Sequence, residues 1–268
     1  MKLSVITTFN QAGYDKYAQK MIQTFLATWP TEVTLYAYAE DCKVSESATN
    51  LVVVDLHRSS PALVSFKNKW KDVPKANGDI SSDATRSTRA DSKKSFKWDA
   101  VRFSHKVYAI FACAKICNSD VLMWMDADTI CHSPITMERL TQLIPVDKEL
   151  CFLGREGKYT ECGLYAMNLR SPMITRFLES FQRMYDHADH GIFTLDEWHD
   201  SFVFDEVRRT LALIELNWSK GIIRGEGHPL INSEWGAYLD HLKGNRKTLG
   251  RSKLSDLKII RTEPYWSK

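Results

Sequence analysis

The ten residues VLMWMDADTI, Val121 to Ile130, restrict the fold more than any other stretch of the chain. Five apolar residues run without interruption into two aspartates one residue apart. A short continuous apolar run suits a strand covered on both faces, as in parallel sheets held between helical layers. Such a strand cannot carry Asp126 and Asp128 in its buried part, so the pair marks its carboxyl end. Residues i and i+2 share one face of a strand, and in a following turn they converge on one point. In open α/β sheets this end of the strands is where ligands bind. Two close carboxylates repel unless a cation joins them, and oxygen ligands suit magnesium or manganese. An Asp-Ala-Asp that only caps a turn is the alternative.

The remaining pattern supplies the partners such a strand needs. LSVITTF (3–9) is rich in β-formers, and a polar break at 10–13 follows it. Tyr17, Met21, Phe25 and Trp29 then recur at fourfold spacing, which predicts an amphipathic helix ended by Pro30. EVTLYAYA alternates like a strand, and NLVVVDL is an apolar run expected to be buried on both faces. Residues 99–117 predict a second helix, with Phe103, Val107, Ile110, Phe111 and Ala114 on one stripe and Arg102 and Lys106 on another. ELCFLG and CGLYAMNL read as strands, and Ser171-Pro172 opens a further helix. Another helix is expected over about 198–213. The order predicts one α/β domain over 1–268, Rossmann-like, with a mostly parallel sheet and helices on both faces. Its halves would be 1–130 and 131–268.

Composition excludes more than it assigns. The 44% hydrophobic and 26% charged make-up is that of a globular protein, and a formal charge of +3 is only mildly basic. That charge allows an anionic ligand but gives no reason to expect nucleic acid. The six cysteines form no CxxC pair, so a zinc knuckle is not expected. Cys113 and Cys117, one helical turn apart, are expected on a core face. Reduced buried thiols suit the cytoplasm, and no apolar window approaches the length of a membrane span, which leaves peripheral membrane contact as the only kind expected. The start of the chain reads as a strand, its apolar run being too short for a signal peptide. Residues 58–97 carry many lysines and arginines and little apolar period, and are expected to form a long, mobile, basic excursion. Neither GxGxxG nor GxxxxGK(S/T) occurs, so neither a dinucleotide fingerprint nor a P-loop is supported.

Two enzyme groups place an aspartate pair behind an apolar strand. DADTI matches the DxDx(T/V) nucleophile motif of haloacid-dehalogenase phosphatases, but that motif belongs near the amino terminus and needs a later acidic pair, which this chain lacks. The GT-A glycosyltransferases instead use a DxD to hold a metal against the diphosphate of a nucleotide sugar, and need a distant ligand to complete the site. His241, Gly244 and Lys247 in DHLKGNRK fit H-x-x-G-x-x-K, in the expected order. The chain thus resembles glycosyltransferase family eight, the glycogenin and galactosyltransferase-like group. It departs from that group after Lys247, where Thr248 and Leu249 replace the usual Pro-Trp, which makes it a divergent cousin within the same fold.

The resemblance implies a metal-dependent glycosyltransferase, retaining at the anomeric carbon. Asp126, Asp128 and His241 would hold manganese or magnesium, while the Gly244 backbone and Lys247 would contact the diphosphate. Thr8, Phe9 and Asn10, ending the first strand, would receive the nucleotide base and ribose, with Phe9 stacking. Arg102 and Lys106 would meet donor sugar or phosphates. YTECGLYAMNL is similar to the segment FNAGVMLIN of these enzymes, so Glu161 and Asn168 would line the sugar pocket and Gly163 would allow close approach. Asp200, ahead of His199 and Asp196, would hold donor-sugar hydroxyls. An inverting enzyme would need a carboxylate base, for which Asp200 or Glu161 could serve. A UDP-sugar is expected ahead of a GDP-sugar as donor. The acceptor would be a glycan, lipid or other hydroxyl compound, and an anionic one would suit the basic segment. A nucleotidyltransferase and a non-catalytic glycan-binding protein are the other classes compatible with the pattern.

Overall fold

The apolar run forms strand β4 (Val121–Met125), all five residues of which are buried. The computed structural model describes residues 1–225 and 227–267. On one side of β4 lie β1 (Leu3–Asn10), β2 (Thr34–Glu40) and β3 (Leu51–Asp55). On the other lie β6 (Leu150–Leu153), β7 (Glu161–Asn168) and β8 (Glu215–Asn217), giving the order β3-β2-β1-β4-β7-β6-β8. β1–β2, β1–β4, β2–β3 and β6–β8 pair parallel, and only β7 opposes its neighbours. The carboxyl ends of the other six strands and the amino end of β7 therefore share one edge of the sheet.

Alternation within β4 divides its side chains between two cores. Leu122 and Trp124 face the helices Pro61–Trp70, Ala100–Ile116, Pro172–Asp186 and Asp200–Arg209. Val121, Met123 and Met125 face the helices Gln19–Thr28, Met137–Leu143 and Pro229–Asn232. Each large side chain removed from water in this way stabilises the fold by roughly 1.5–3 kcal/mol. One sheet with a core on each face makes a single α/β domain. Beyond the end of β4, a two-stranded antiparallel sheet joins β5 (Thr129–Cys131) to β9 (Leu239–His241).

Three expectations are corrected. β3 is not buried on both faces: it is an edge strand, and Val52 and Val53 are 38% and 46% exposed. Residues 58–97 are not one loop, because Pro61 starts a helix whose Leu63, Phe66 and Trp70 enter the core while Lys67 and Lys69 end it. Its irregular remainder is bonded to the rest of the fold: Arg86 donates to the carbonyls of Leu195 (2.7 Å) and Asp196 (3.3 Å), and Lys97 pairs with Glu197 (2.7 Å). The last helix is shorter than expected, covering Asp200–Arg209. All six cysteines are free thiols, and Cys113 and Cys117 are buried. No helix among the described residues is long and apolar enough to cross a membrane.

Candidate active site

Backbone pairing assembles the acidic centre. Asp126 leaves β4 with its N–H donating to Gly163 O of β7 at 2.9 Å. The chain turns at once, Thr129 N donating to Asp126 O at 3.1 Å, and enters β5. In the β5–β9 register Thr129 lies opposite His241, and Leu242 N donates to Asp128 O at 2.8 Å. His241 therefore arrives beside the aspartates from the far end of the sequence. Its Nε2 lies 3.0 Å from Asp128 Oδ1 and 3.3 Å from Asp126 Oδ2.

One ligand atom from each of Asp126, Asp128 and His241 lies within 4.8 Å of the others. His241 is 1% exposed, and its Nδ1 is buried without a hydrogen-bond partner among the described residues, 3.7 Å from Glu161 Oε1. Gly163 makes room for the imidazole: a Cβ there would stand 2.4 Å from His241 Cε1 and 2.5 Å from Nδ1. Two converging carboxylates and one imidazole, with Asp128 and His241 buried and Asp126 partly open to the cleft, fit a divalent ion of the manganese or magnesium kind. Glu40, Asp41 and His57 form a second such group at the end of β2.

Lysines surround the acids. Lys106 Nζ lies 2.6 Å from Asp200 Oδ2 and 3.2 Å from Asp126 Oδ1, and also donates to Cys162 O. Its ammonium sits 4.7 Å from the centre of the Trp124 ring, whose indole N–H donates to Asp126 Oδ1 at 2.6 Å. Lys247 Nζ contacts Asp128 Oδ2 at 2.8 Å and lies 4.7 Å from the ring centre of Tyr17. Lys243 pairs with Glu161. Gly244, at φ +56°, makes the turn between His241 and Lys247 that a side chain would strain.

Burial opposes every charge here, and the partners overcome it. Desolvation works against the Lys106 ammonium, but Asp126 and Asp200 hold its pKa well above the ordinary value. Burial likewise penalises the Asp126 carboxylate, yet Lys106, His241 and Trp124 keep it far below the usual range; Asp128 is lowered mainly by His241. Burial also penalises Glu161, which Lys243 and His241 nonetheless lower to about 2. His241, despite its burial, is raised to about 9 by the two aspartates. In the metal-free protein it is thus a cation at neutral pH, standing where a divalent ion would otherwise balance the pair.

These groups line a cleft of about 690 Å³. Its walls present eight lysines and arginines against four carboxylates, a balance suited to an anionic ligand. Among the residues named from the sequence, Asp126, Asp128, His241, Glu161, Asp200, Lys106, Arg102, Gly244 and Lys247 all reach this cleft. Gly163 also lines it, and the close approach it allows is that of His241.

Thr8, Phe9 and Asn10 do not line it. The Phe9 ring faces the core, 5% exposed and 5.7 Å from Tyr14, so it has no free face for stacking on a base. The Asn10 side chain caps the following helical turn at Gly13 N (2.9 Å), and the Thr8 hydroxyl donates to Tyr38 O at 2.7 Å. Asn168 sits at the opposite end of β7, donating to Val146 O. Asp196 is exposed and lies outside the cleft, whereas His199 lines it, buried and 3.0 Å from Glu197. Sequence reasoning missed Trp124, Tyr17, Tyr159 and Lys243. For two of them a signal existed, since Trp124 lies two residues before Asp126 and Lys243 two after His241, close in sequence to the named ligands.

No protein-family model matches the sequence, and no curated protein matches it. Solved structures do. Mouse xyloside xylosyltransferase 1 in its apo form aligns with a TM-score of 0.51 at 13% identity, over 92% of this chain and 99% of its own. A WbbM bifunctional glycosyltransferase (9% identity, TM-score 0.48) and GlyE of Streptococcus pneumoniae (10%, 0.46) each align over 81% of this chain. The chain spans only 38% and 45% of those two proteins. The alignment with the xylosyltransferase, read together with the sheet order, gives the chain a single-domain α/β fold of the GT-A type.

Proposed function

We propose that the chain is a metal-dependent glycosyltransferase that moves a sugar from a nucleotide-sugar donor to a hydroxyl acceptor. The observation that carries this reading is the β5–β9 register, which sets His241 beside Asp126 and Asp128 at the ligand-binding edge of the sheet. These three residues would hold Mn²⁺ or Mg²⁺, which as a Lewis acid would offset charge on the departing nucleoside diphosphate. Lys247, paired with Asp128 in the free protein, is placed to turn to the phosphates, next to the open Gly244 backbone. Arg102 adds a second cation in the same wall. Asp200, fixed by Lys106, presents a carboxylate to donor-sugar hydroxyls.

Retention at the anomeric carbon is proposed on the family-eight resemblance, and Glu161, paired with Lys243, is not free to act as the base of an inverting step. A UDP-sugar is proposed ahead of a GDP-sugar on the H-x-x-G-x-x-K resemblance, and the cytoplasm on the six free thiols. A phosphohydrolase would need Asp126 as a free nucleophile, whereas its carboxylate is occupied by Lys106, Trp124 and His241. Isothermal titration of nucleoside diphosphates and nucleotide sugars, with and without Mn²⁺, tests the reading. Metal-dependent binding of one nucleotide by the wild type, lost in Asp128→Ala, is expected; binding of none would remove the proposal.

A further inference from the structure

The cleft continues beyond the metal ligands. Past Tyr159 it opens into a second hollow of about 460 Å³ over the ends of β6 and β8, and Arg155, Lys158 and Tyr159 face both spaces. On the donor reading above, the charges at the metal end can be matched. Lys106 is taken by Asp126 and Asp200, and Lys243 by Glu161. A divalent ion on Asp126 and Asp128 would release Lys247, which with Arg102 suffices for a doubly charged diphosphate.

Of the ten lysines and arginines of the basic segment, five are paired with carboxylates, and only Lys94 and Lys97 line the cleft. Lys67 pairs with Glu40, Lys69 with Asp189 and Arg86 with Asp83, while Arg89 and Lys97 both pair with Asp91 and Glu197. In the second hollow, Arg208 is held by Asp205 and Glu215. Two cations in the cleft walls away from Lys247, Lys94 and Arg155, have no carboxylate partner among the described residues. Arg155 is nonetheless fixed: its Nε donates to Tyr159 O at 2.8 Å, which leaves the rest of the guanidinium for a ligand. At the mouth of the cleft Phe96 is 43% exposed, an apolar face on which a sugar ring can pack.

We infer that the acceptor is an anionic glycan whose carboxylate or phosphate docks on Lys94 and Arg155 while a sugar ring lies against Phe96. This rests on the donor reading for the end of the cleft it assigns, but its test does not. The full chain, with Mg²⁺ and UDP present, is titrated with tetragalacturonate, with a phosphorylated mannose oligosaccharide and with neutral maltotetraose. One of the two anionic probes is expected to bind at least about tenfold more tightly than maltotetraose, since a charge-assisted bidentate contact separates them. Which one binds tells carboxylate from phosphate.

The affinity is expected to fall by about tenfold in Lys94→Ala/Arg155→Ala and to weaken as salt rises from about 50 to about 200 mM. The conservative Lys94→Arg and Arg155→Lys are expected to keep most of it, and a thermal melt checks that the double variant folds. Equal binding of the neutral probe, no binding of either anionic probe, or unchanged binding by the double variant would each overturn the inference. A wild type that binds the anionic glycan but no nucleoside diphosphate would instead sink the donor reading alone.

Discussion

Two groups, each of two carboxylates and one histidine, stand at neighbouring strand ends: Asp126, Asp128 and His241 past the end of β4, and Glu40, Asp41 and His57 at the ends of β2 and β3. Spacing alone does not separate them, since each offers three ligand atoms within 4.8 Å. Their surroundings do. In the second group one oxygen, Glu40 Oε1, already serves His57 Nε2 (3.2 Å), His105 Nε2 (3.1 Å) and Lys67. The Asp41 side chain is 84% exposed, and water competes for it. In the first group the imidazole is buried, Gly163 leaves room for it, and lysines and arginines line the cleft around it. A donor set becomes a site when burial and second partners orient it toward a common point.

The largest expected contrast is between the two histidines. His241→Ala should lower metal-dependent nucleotide affinity by about a hundredfold or more, whereas His57→Ala should leave it unchanged by titration calorimetry. Next comes pH. His241 is raised to about 9 in the metal-free protein, and a metal must displace its proton. Metal affinity should therefore rise by up to about tenfold per pH unit from 7 towards 9 and level off above, with proton release seen as a buffer-dependent heat.

Gly163→Ala should weaken metal binding by about tenfold, because its Cβ displaces the His241 ring, and should cost about 1–3 kcal/mol in urea unfolding. The smallest effect belongs to the second group. Burial opposes Glu40 ionisation, but His105 and Lys67 lower its pKa from 4.5 to about 2. Its contribution is present above pH 4.5 and is lost as pH falls through about 2. Glu40→Gln should therefore reduce stability at neutral pH by about 1 kcal/mol, with no change in metal binding.

The parts legible in the sequence were those where one physical demand dominates. VLMWM is apolar on every residue because both sheet faces cover it, and DAD follows because the strand's end opens on the cleft. LVVVD looks alike but lies at the edge, since strand order depends on pairings that composition does not encode. The helix Pro61–Trp70 was hidden by its lysines, although Pro61 with Leu63, Phe66 and Trp70 carries the signal. His241 could be named from H-x-x-G-x-x-K, but only the β5–β9 register brings it to Asp128. Phe9 was misjudged because alternation along β1 turns its ring inward and leaves the neighbouring side chains on the other face.

The central claim is that Asp126, Asp128 and His241 form the metal centre. Crystals soaked with Mn²⁺ and a nucleoside diphosphate, with anomalous data collected at the manganese edge, test it directly. One peak among these three residues, with phosphate density reaching Lys247, is the expected result. A peak at Glu40 and His57 instead, or none at either place, would contradict it.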